Sequence, residues 1–219
     1  MAEVTTDIHA EARNLCAANP IIPVVVIDDP AHAVEAGKAL LAGGIACAEL
    51  TFRTAAAAEV IKEMVAVEGL TVGAGTVVNV EQARRALDAG ATFLVSPGFS
   101  AAVAQFASDE SIPYMPGTVT ASEITAALDY GFETLKFFPA VASGGLPVVK
   151  ALSAPFPQVK FVATGGIGTK NIAEWITNPA IASVGGSWMI SRDDVANQRW
   201  DQITKLSTEA VALVEEARK

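Results

Sequence analysis

Three charged residues lie in or beside short β-forming runs, where charge is unusual. Lys136 lies inside TLKFFP (134–139), and Glu49 lies inside CAELTF (47–52) with Arg53 directly after it. Lysine and glutamate are among the residue types least often fully buried. An amine sheltered beside aromatic rings has its charged form disfavoured. A neutral lysine amine can attack a ketone and form a Schiff base, which helps to break a neighbouring C–C bond. A carboxylate such as Glu49 could move the protons that this chemistry needs.

These three charged residues also have structural explanations. Lys136 could extend out of a strand end with its aliphatic stem packed on the neighbouring phenylalanines. Glu49 and Arg53 share one side of a strand because the side-chain period of a strand is two, so they could form a structural ion pair. The cost of burying a carboxylate without a purpose argues against that pair. The local sequence leaves these alternatives open.

The elements that must position these residues follow a regular alternation. Each β-rich run is followed by an alanine-rich amphipathic segment, and successive runs start 20 to 27 residues apart. This spacing leaves room for one strand, one short helix and two tight loops. The predicted strands are 22–27, 47–52, 71–76, 93–97, 114–118, 134–139, 161–166 and 183–188. The predicted helices include 30–44, 79–90 with Asn79 as N-cap, and 122–131, in which Ser122 precedes the apolar run. An extra helix is predicted over 4–18 and a last helix over 200–217.

Eight βα units in about 190 residues predict an α/β fold, a (β/α)₈ TIM barrel with an extra N-terminal helix. We expect one domain that spans residues 1–219. A doubly wound open sheet is the alternative, although it does not require eight evenly spaced units. In a barrel the chemistry lies at the C-terminal ends of the strands, so the three charged residues would meet at one mouth.

Two pairs of adjacent glycines end the seventh and eighth runs. They lie in ATGGIG, which contains Gly165 and Gly166, and in VGGSW, which contains Gly186 and Ser187. Adjacent glycines let the backbone approach a ligand closely, and barrels often bind phosphate after these two strands. The pairs therefore indicate a phosphate site, although tight turns would explain them too.

Composition restricts the class of partner. A formal net charge of −9 argues against nucleic acid or an anionic membrane surface as the main partner. Cys16 and Cys47 lack metal-type spacing and are predicted to be reduced and structural. His9 and His32 lie outside the strand ends, so we expect them on the surface and expect no histidine-rich metal site. The three tryptophans are expected to serve packing. The N-terminal residues lack a long apolar stretch, which predicts a cytoplasmic protein.

The motifs ELTFRT, VGAGTV, SPGF, PGT, LKFFPA, TGGI and GGSW occur in one order between about residue 20 and residue 215. In this respect the chain resembles the 2-keto-3-deoxy-6-phosphogluconate (KDPG) aldolase and 4-hydroxy-2-oxoglutarate (KHG) aldolase family. The resemblance implies a class I, metal-independent aldolase without a cofactor, usually a homotrimer, that cleaves KDPG to pyruvate and glyceraldehyde 3-phosphate. One departure is Ala163, where the family often has proline before TGGI.

Residue roles are also implied by this resemblance. Lys136 would be the Schiff-base lysine and Glu49 the general acid and base. The implied substrate-binding residues are Arg53 and Thr76 for the carboxylate, Pro97 and Phe138 for the pocket wall, Thr164, and Gly165, Gly166, Gly186 and Ser187 for the phosphate. The substrate could instead be the galactonate phosphate isomer or KHG. A non-catalytic protein that binds a sugar-acid phosphate is the alternative outside the enzymes.

Overall fold

The computed structural model describes residues 7–219. Its strands form one parallel sheet in the order β5-β4-β3-β2-β1-β9-β8-β7-β6. Within the described residues they are β1 (Ile21–Val25), β2 (Cys47–Thr51), β3 (Thr71–Gly75), β4 (Leu94–Val95), β5 (Tyr114–Met115), β6 (Gly117–Thr118), β7 (Thr134–Phe137), β8 (Lys160–Thr164) and β9 (Ile181–Gly186).

The sheet closes at the predicted fifth strand, which Pro116 divides into β5 and β6. A proline has no backbone N–H and so interrupts a ladder of hydrogen bonds. β5 pairs with β4 on one side, whereas β6 pairs with β7 on the other. The Pro116 carbonyl accepts a hydrogen bond from the Lys136 backbone N–H at 2.8 Å. The two fragments thus occupy one position in a closed ring of eight, which confirms the barrel and contradicts the open sheet.

Helices connect the strands and cover the ring. They are α1 (Ile8–Ala18), a 3₁₀ turn (Pro30–His32) followed by α2 (Ala33–Ala42), α3 (Ala57–Met64), α4 (Val80–Asp88), α5 (Ala101–Asp109), α6 (Ala121–Leu128), α7 (Gly145–Ser153), α8 (Ile172–Ile176), α9 (Arg192–Ala196) and α10 (Trp200–Ala217). Within residues 7–219, no helix is long and apolar enough to span a membrane.

The helix boundaries agree with the sequence prediction except at a few ends. Asn79 caps α4, as predicted, because its side chain accepts from the Gln82 N–H. α6 begins earlier than predicted, since Thr120 forms a capping box with Glu123. The predicted helix over 4–18 is present as α1 from residue 8, and its positions 4–6 lie outside the described residues.

The core has two parts, one between sheet and helices and one inside the ring. The inner cluster contains Ala12, Cys16, Ile22, Cys47, Phe93, Val95, Met115 and Val162. Because the first two of these lie on α1 and Ile22 and Cys47 lie at strand starts, α1 packs across the N-terminal end of the barrel. Ser183 on β9 fixes it there by donating to the Cys16 and Asn19 carbonyls. The opposite, C-terminal end is the open one.

The minor sequence predictions had mixed outcomes. Both cysteines are free and buried, as predicted. The surface prediction for the histidines holds in part: both keep some exposure, but each is half-buried against an aromatic ring, His9 against Phe132 and His32 against Trp200. Trp175 is a packing residue and is only 2% exposed.

Candidate active site

Lys136 and Glu49 form a buried ion pair in the barrel interior. Lys136 Nζ lies 3.0 Å from Glu49 Oε1 and 3.4 Å from Oε2. Their side chains are only 6% and 2% exposed. β2 and β7 are four positions apart in a ring of eight, so the two residues reach each other from opposite walls. The alternative of a lysine extended into solvent is therefore wrong, and Glu49 pairs with Lys136 instead of with Arg53.

The carboxylate fits because β3 has glycine where a side chain would otherwise fill the space. Glu49 is in register with Gly73, and its carboxyl group leans toward Gly75. A Cβ at Gly75 would lie 2.0 Å from Glu49 Oε1. A Cβ at Gly73 would lie 2.4 Å from the Phe93 ring. Sequence reasoning gave these two glycines no role, and only their in-strand position inside VGAG could have drawn attention to them.

The aromatic ring of Phe138 lies close to the amine of this pair. Its centroid is 5.5 Å from Lys136 Nζ. Since donor and acceptor lie within hydrogen-bond distance, a proton can pass directly from the ammonium to the carboxylate and leave a neutral amine.

Arg53 lines a cavity of about 320 Å³ beside the C-terminal ends of β1, β2 and β9. The cavity is lined by Val24, Val26, Arg53, Thr54, Ser187, Ile190, Ser191 and Arg192. Of these, Val24 is in register with Glu49. Arg53 itself is exposed and forms no ion pair with any residue in 7–219. Its guanidinium is thus available for an anionic ligand.

Thr76 directly follows β3 and adopts an uncommon backbone conformation, with φ of +59°. A β-branched residue rarely occupies the left-handed region, and such residues cluster at functional sites. Pro97 lies against Gly117 on β6 of the barrel. A Cβ added at Gly117 would lie 2.3 Å from the Pro97 carbonyl oxygen. The structure places both residues at the C-terminal ends of their strands, as the sequence predicted.

The loop after β8 offers free donors to a ligand. Gly165 and Gly166 have φ of +103° and +80°, so a residue with a side chain would be strained at either position. Within residues 7–219, the backbone N–H groups of Gly165, Gly166 and Ser187 donate to no other protein group. Such unpaired N–H groups can bind a phosphate.

Thr164 contributes a hydroxyl to the same region. Its Oγ1 is buried and has no hydrogen-bond partner in the described chain. Gly185, its register partner on β9, makes room for it, because a Cβ there would lie 2.3 Å from that oxygen. Gly186 similarly makes room for the Trp188 ring, which lies where a Cβ of residue 186 would otherwise be. A buried hydroxyl without a partner is unfavourable, which suggests that a ligand completes it.

Other parts of the molecule offer less chemistry. A second cavity of about 250 Å³ lies at the N-terminal end, between α10 and the start of β1, and contains none of the predicted site residues. No group of three or more His, Cys, Asp or Glu side chains in residues 7–219 is arranged to hold a metal ion. The open mouth is therefore the candidate active site.

Known proteins are similar in sequence to this chain along nearly its whole length. The family model described as "Aldolase: KDPG and KHG aldolase" matches residues 12–206. The chain is 41% identical to 2-dehydro-3-deoxy-phosphogluconate aldolase of Dickeya dadantii over 92% of this chain and 95% of that protein. It is 39% identical to the KHG/KDPG aldolase of Escherichia coli over 91% of this chain and 94% of that protein.

Solved structures agree in fold. The KDPG aldolase of Zymomonas mobilis, crystallised with 3-phosphoglycerate, superposes with a TM-score of 0.87 at 40% identity, covering 94% of this chain and 97% of that one. KDPG aldolase from Legionella pneumophila, with pyruvate captured as a covalent carbinolamine, gives a TM-score of 0.87 at 39% identity, covering 90% and 96%.

Proposed function

The chain belongs to the KDPG and KHG aldolase family and is a 2-dehydro-3-deoxy-phosphogluconate aldolase, a carbon–carbon lyase, and we propose that Lys136 is its Schiff-base residue and Glu49 its proton carrier. The observation that carries this proposal is the buried pair with Nζ and Oε1 3.0 Å apart. A buried amine next to a carboxylate, at the mouth of a barrel, has the geometry that class I aldol chemistry requires.

The reaction follows from these two groups. Glu49 takes the ammonium proton, and the neutral Lys136 amine adds to the C2 ketone of KDPG. Glu49 then gives a proton to the carbinolamine oxygen, which leaves as water and yields the iminium. The Glu49 carboxylate then takes the C4 hydroxyl proton, the C4 oxygen becomes the aldehyde carbonyl, and the C3–C4 bond breaks as its electron pair moves into the iminium and forms an enamine. Glyceraldehyde 3-phosphate leaves, Glu49 returns the proton to C3, and water adds to the resulting iminium and releases pyruvate and the free amine.

The substrate's carboxylate is bound by Arg53 and Thr76 in this proposal. Arg53 supplies an unpaired guanidinium on the cavity rim, and such a group pairs well with a carboxylate. Thr76 supplies a hydroxyl held at an unusual backbone angle. Pro97 and Phe138 form the walls, and the Phe138 ring also keeps water from the amine.

The phosphate is bound at the ends of β8 and β9. Its proposed ligands are the backbone of Gly165, Gly166 and Gly186, together with Ser187. The unpaired N–H groups there support this assignment, and the unpartnered hydroxyl of Thr164 would bind the substrate chain between the two ends.

We propose KHG as a second substrate, because the Escherichia coli relative is a KHG/KDPG aldolase. Both compounds present the same 2-keto acid to Lys136 and differ at the distal end. The ratio of kcat/KM for the two substrates tests this, with the galactonate phosphate isomer as the third compound. No KHG cleavage above the rate of the Lys136→Ala variant would contradict the second activity.

Reductive trapping tests the assignment of Lys136. Borohydride treatment with pyruvate should attach a reduced adduct to the peptide that contains Lys136, as found by mass mapping. Lys136→Ala should abolish both the adduct and KDPG cleavage. Lys160→Ala is the matched control, because Lys160 starts the neighbouring strand, is exposed and donates from its Nζ to the Pro179 carbonyl. An adduct on any other lysine, or none, would refute the assignment.

We further propose that residues 1–219 form one cytoplasmic domain, that three copies associate, and that the enzyme needs no metal. The ring built from β1 to β9 supports the single domain. Sedimentation should give about three times the 22.6 kDa chain mass, and a single-chain mass would contradict the trimer. Activity should be unchanged in EDTA, whereas its loss and recovery with added metal would contradict metal independence.

A further inference from the structure

Arg192 lines the cavity that also contains Arg53 and Ser187, and its guanidinium group is held by Asp28. Asp28 follows β1, and Arg192 is the first residue of α9. Arg192 Nε donates to Asp28 Oδ2 and Nη2 donates to Oδ1, each at 2.6 Å. Because both bonds form at once, they fix the plane of the guanidinium group as well as its position.

The two hydrogen bonds to Asp28 leave Arg192 with unused N–H donors. A guanidinium has five N–H groups, and Asp28 accepts from two nitrogens, so about three N–H groups remain. No other carboxylate in residues 7–219 forms an ion pair with Arg192. The side chain is 64% exposed and lines the cavity beside Ser187. Its free donors can therefore reach a ligand that enters the mouth.

The proposed phosphate site lacks a positive charge that Arg192 could supply. Its ligands at Gly165, Gly166, Gly186 and Ser187 are all neutral donors, whereas a phosphate monoester carries a charge of about −1.5 to −2 at pH 7. The whole chain is also acidic, with a net charge of −9. A nearby arginine would offset this repulsion, and arginine suits phosphate oxygens because its donors are planar and paired.

We propose that Arg192 is a specificity-determining residue that binds the phosphate end of the substrate, with Asp28 as the residue that positions it. This rests on the proposed function, in which Lys136 holds the other end. The same cavity is lined by Val24, which is in register with Glu49, and by Arg192. A substrate with an anion at each end thus meets one arginine for its carboxylate, Arg53, and a second for its phosphate.

Arg192→Gln tests the proposal with two substrates that differ only in the phosphate, KDPG and 2-keto-3-deoxygluconate. The KM for KDPG should rise about fivefold to tenfold, since exposure weakens charge pairing, while the KM for 2-keto-3-deoxygluconate and both kcat values stay nearly constant. Arg192→Lys should give an intermediate KM, because it keeps the charge and loses the bidentate geometry. Raised salt should weaken KDPG binding less in Arg192→Gln than in the parent enzyme.

Arg84→Gln is the matched control. Arg84 is also exposed and also pairs with one carboxylate, that of Glu110, but it lies on α4 away from the cavity. An unchanged KM for KDPG in Arg192→Gln would overturn the proposal, and so would an equal rise for both substrates. Trapping of pyruvate at Lys136 should persist in Arg192→Gln. Loss of trapping in the parent enzyme would instead refute the proposed function, so the two failures are distinguishable.

Discussion

Gly75→Ala should inactivate the enzyme without unfolding it, although the new methyl group carries no charge and removes no donor. Gly75 is the last residue of β3, and its missing side chain is the space into which Glu49 leans. The variant therefore asks whether the position of the Glu49 carboxylate, and not only its presence, determines the rate.

The size of the effect follows from the contact distances. A Cβ at Gly75 would lie 2.0 Å from Glu49 Oε1, 2.4 Å from Cγ and 2.6 Å from Cδ, whereas ordinary contacts begin at 3.4 Å. The carboxylate must move by more than an ångström, and it is bonded to Lys136 Nζ at only 3.0 Å. N–H···O hydrogen bonds extend to about 3.2 Å, so this bond would break. General acid–base catalysis is worth about 10²- to 10⁴-fold, and kcat should fall within that range.

Gly73→Ala provides a control on the same strand. Gly73 also faces the barrel interior, and its Cβ would lie 2.4 Å from the Phe93 ring instead of a catalytic group. Both variants overpack the core, which costs about 1–3 kcal/mol of unfolding free energy. Urea unfolding should therefore show that both variants are destabilised, while steady-state kinetics at a temperature where both are folded should show a large loss of kcat only in Gly75→Ala.

A Gly75→Ala enzyme with the same kcat as Gly73→Ala would refute the reasoning. In that case Glu49 could work from a position without its bond to Lys136, and the observed geometry would not be the working one. The rate of borohydride trapping with pyruvate gives a second measure. It should fall in Gly75→Ala, because carbinolamine formation needs the same proton transfers.

Further predictions concern Arg53 and the two thiols. Arg53→Ala should raise the KM of every 2-keto acid substrate by about tenfold or more, with or without a phosphate, and change kcat less; an effect on phosphorylated substrates alone would contradict its role. Burial raises the pKa of Cys16 to about 11 and that of Cys47 further, so iodoacetamide at pH 8 should label both thiols in urea and neither in the folded protein. The raised pKa of Cys16 also makes the free energy of unfolding depend on pH. Unfolded thiols ionise near pH 9, so the contribution of the buried Cys16 thiol to the free energy of unfolding is fully present below pH 9 and is lost as pH rises toward 11. Urea titrations at pH 8 and 10.5 should show this loss, which Cys16→Ala should reduce.

The sequence predicted the ring and its open end because both depend on local patterns. Alternation of β-forming runs with amphipathic segments is readable residue by residue, and the barrel architecture then places all strand ends at one mouth. The interruption at Pro116 was missed, although a proline within a strand run indicates a break. The half-buried histidines were missed because their aromatic partners lie far away in sequence, as with His32 and Trp200.

The pairing of Lys136 with Glu49 could not be read from either run alone. The two-residue period predicts that each side chain faces inward, but which inward residues meet depends on the closed ring. β2 and β7 become opposite walls only because β5 and β6 together fill one position. Had the sheet stayed open, these strands would not face each other, and both charges would lack a partner.

The contribution of glycine was the least predictable part of the site, because it depends on atoms that neighbouring strands and the loops after them supply. Gly75 accommodates Glu49 from β2, Gly117 accommodates Pro97, and Gly185 accommodates the Thr164 hydroxyl from β8. In sequence each is only a small residue in a strand, where glycine is ordinarily unfavourable. In the ring, each one leaves a space that atoms of a neighbouring segment occupy. Glu49 and Lys136 can be buried together because a third strand, β3, carries no side chain at the level where they meet.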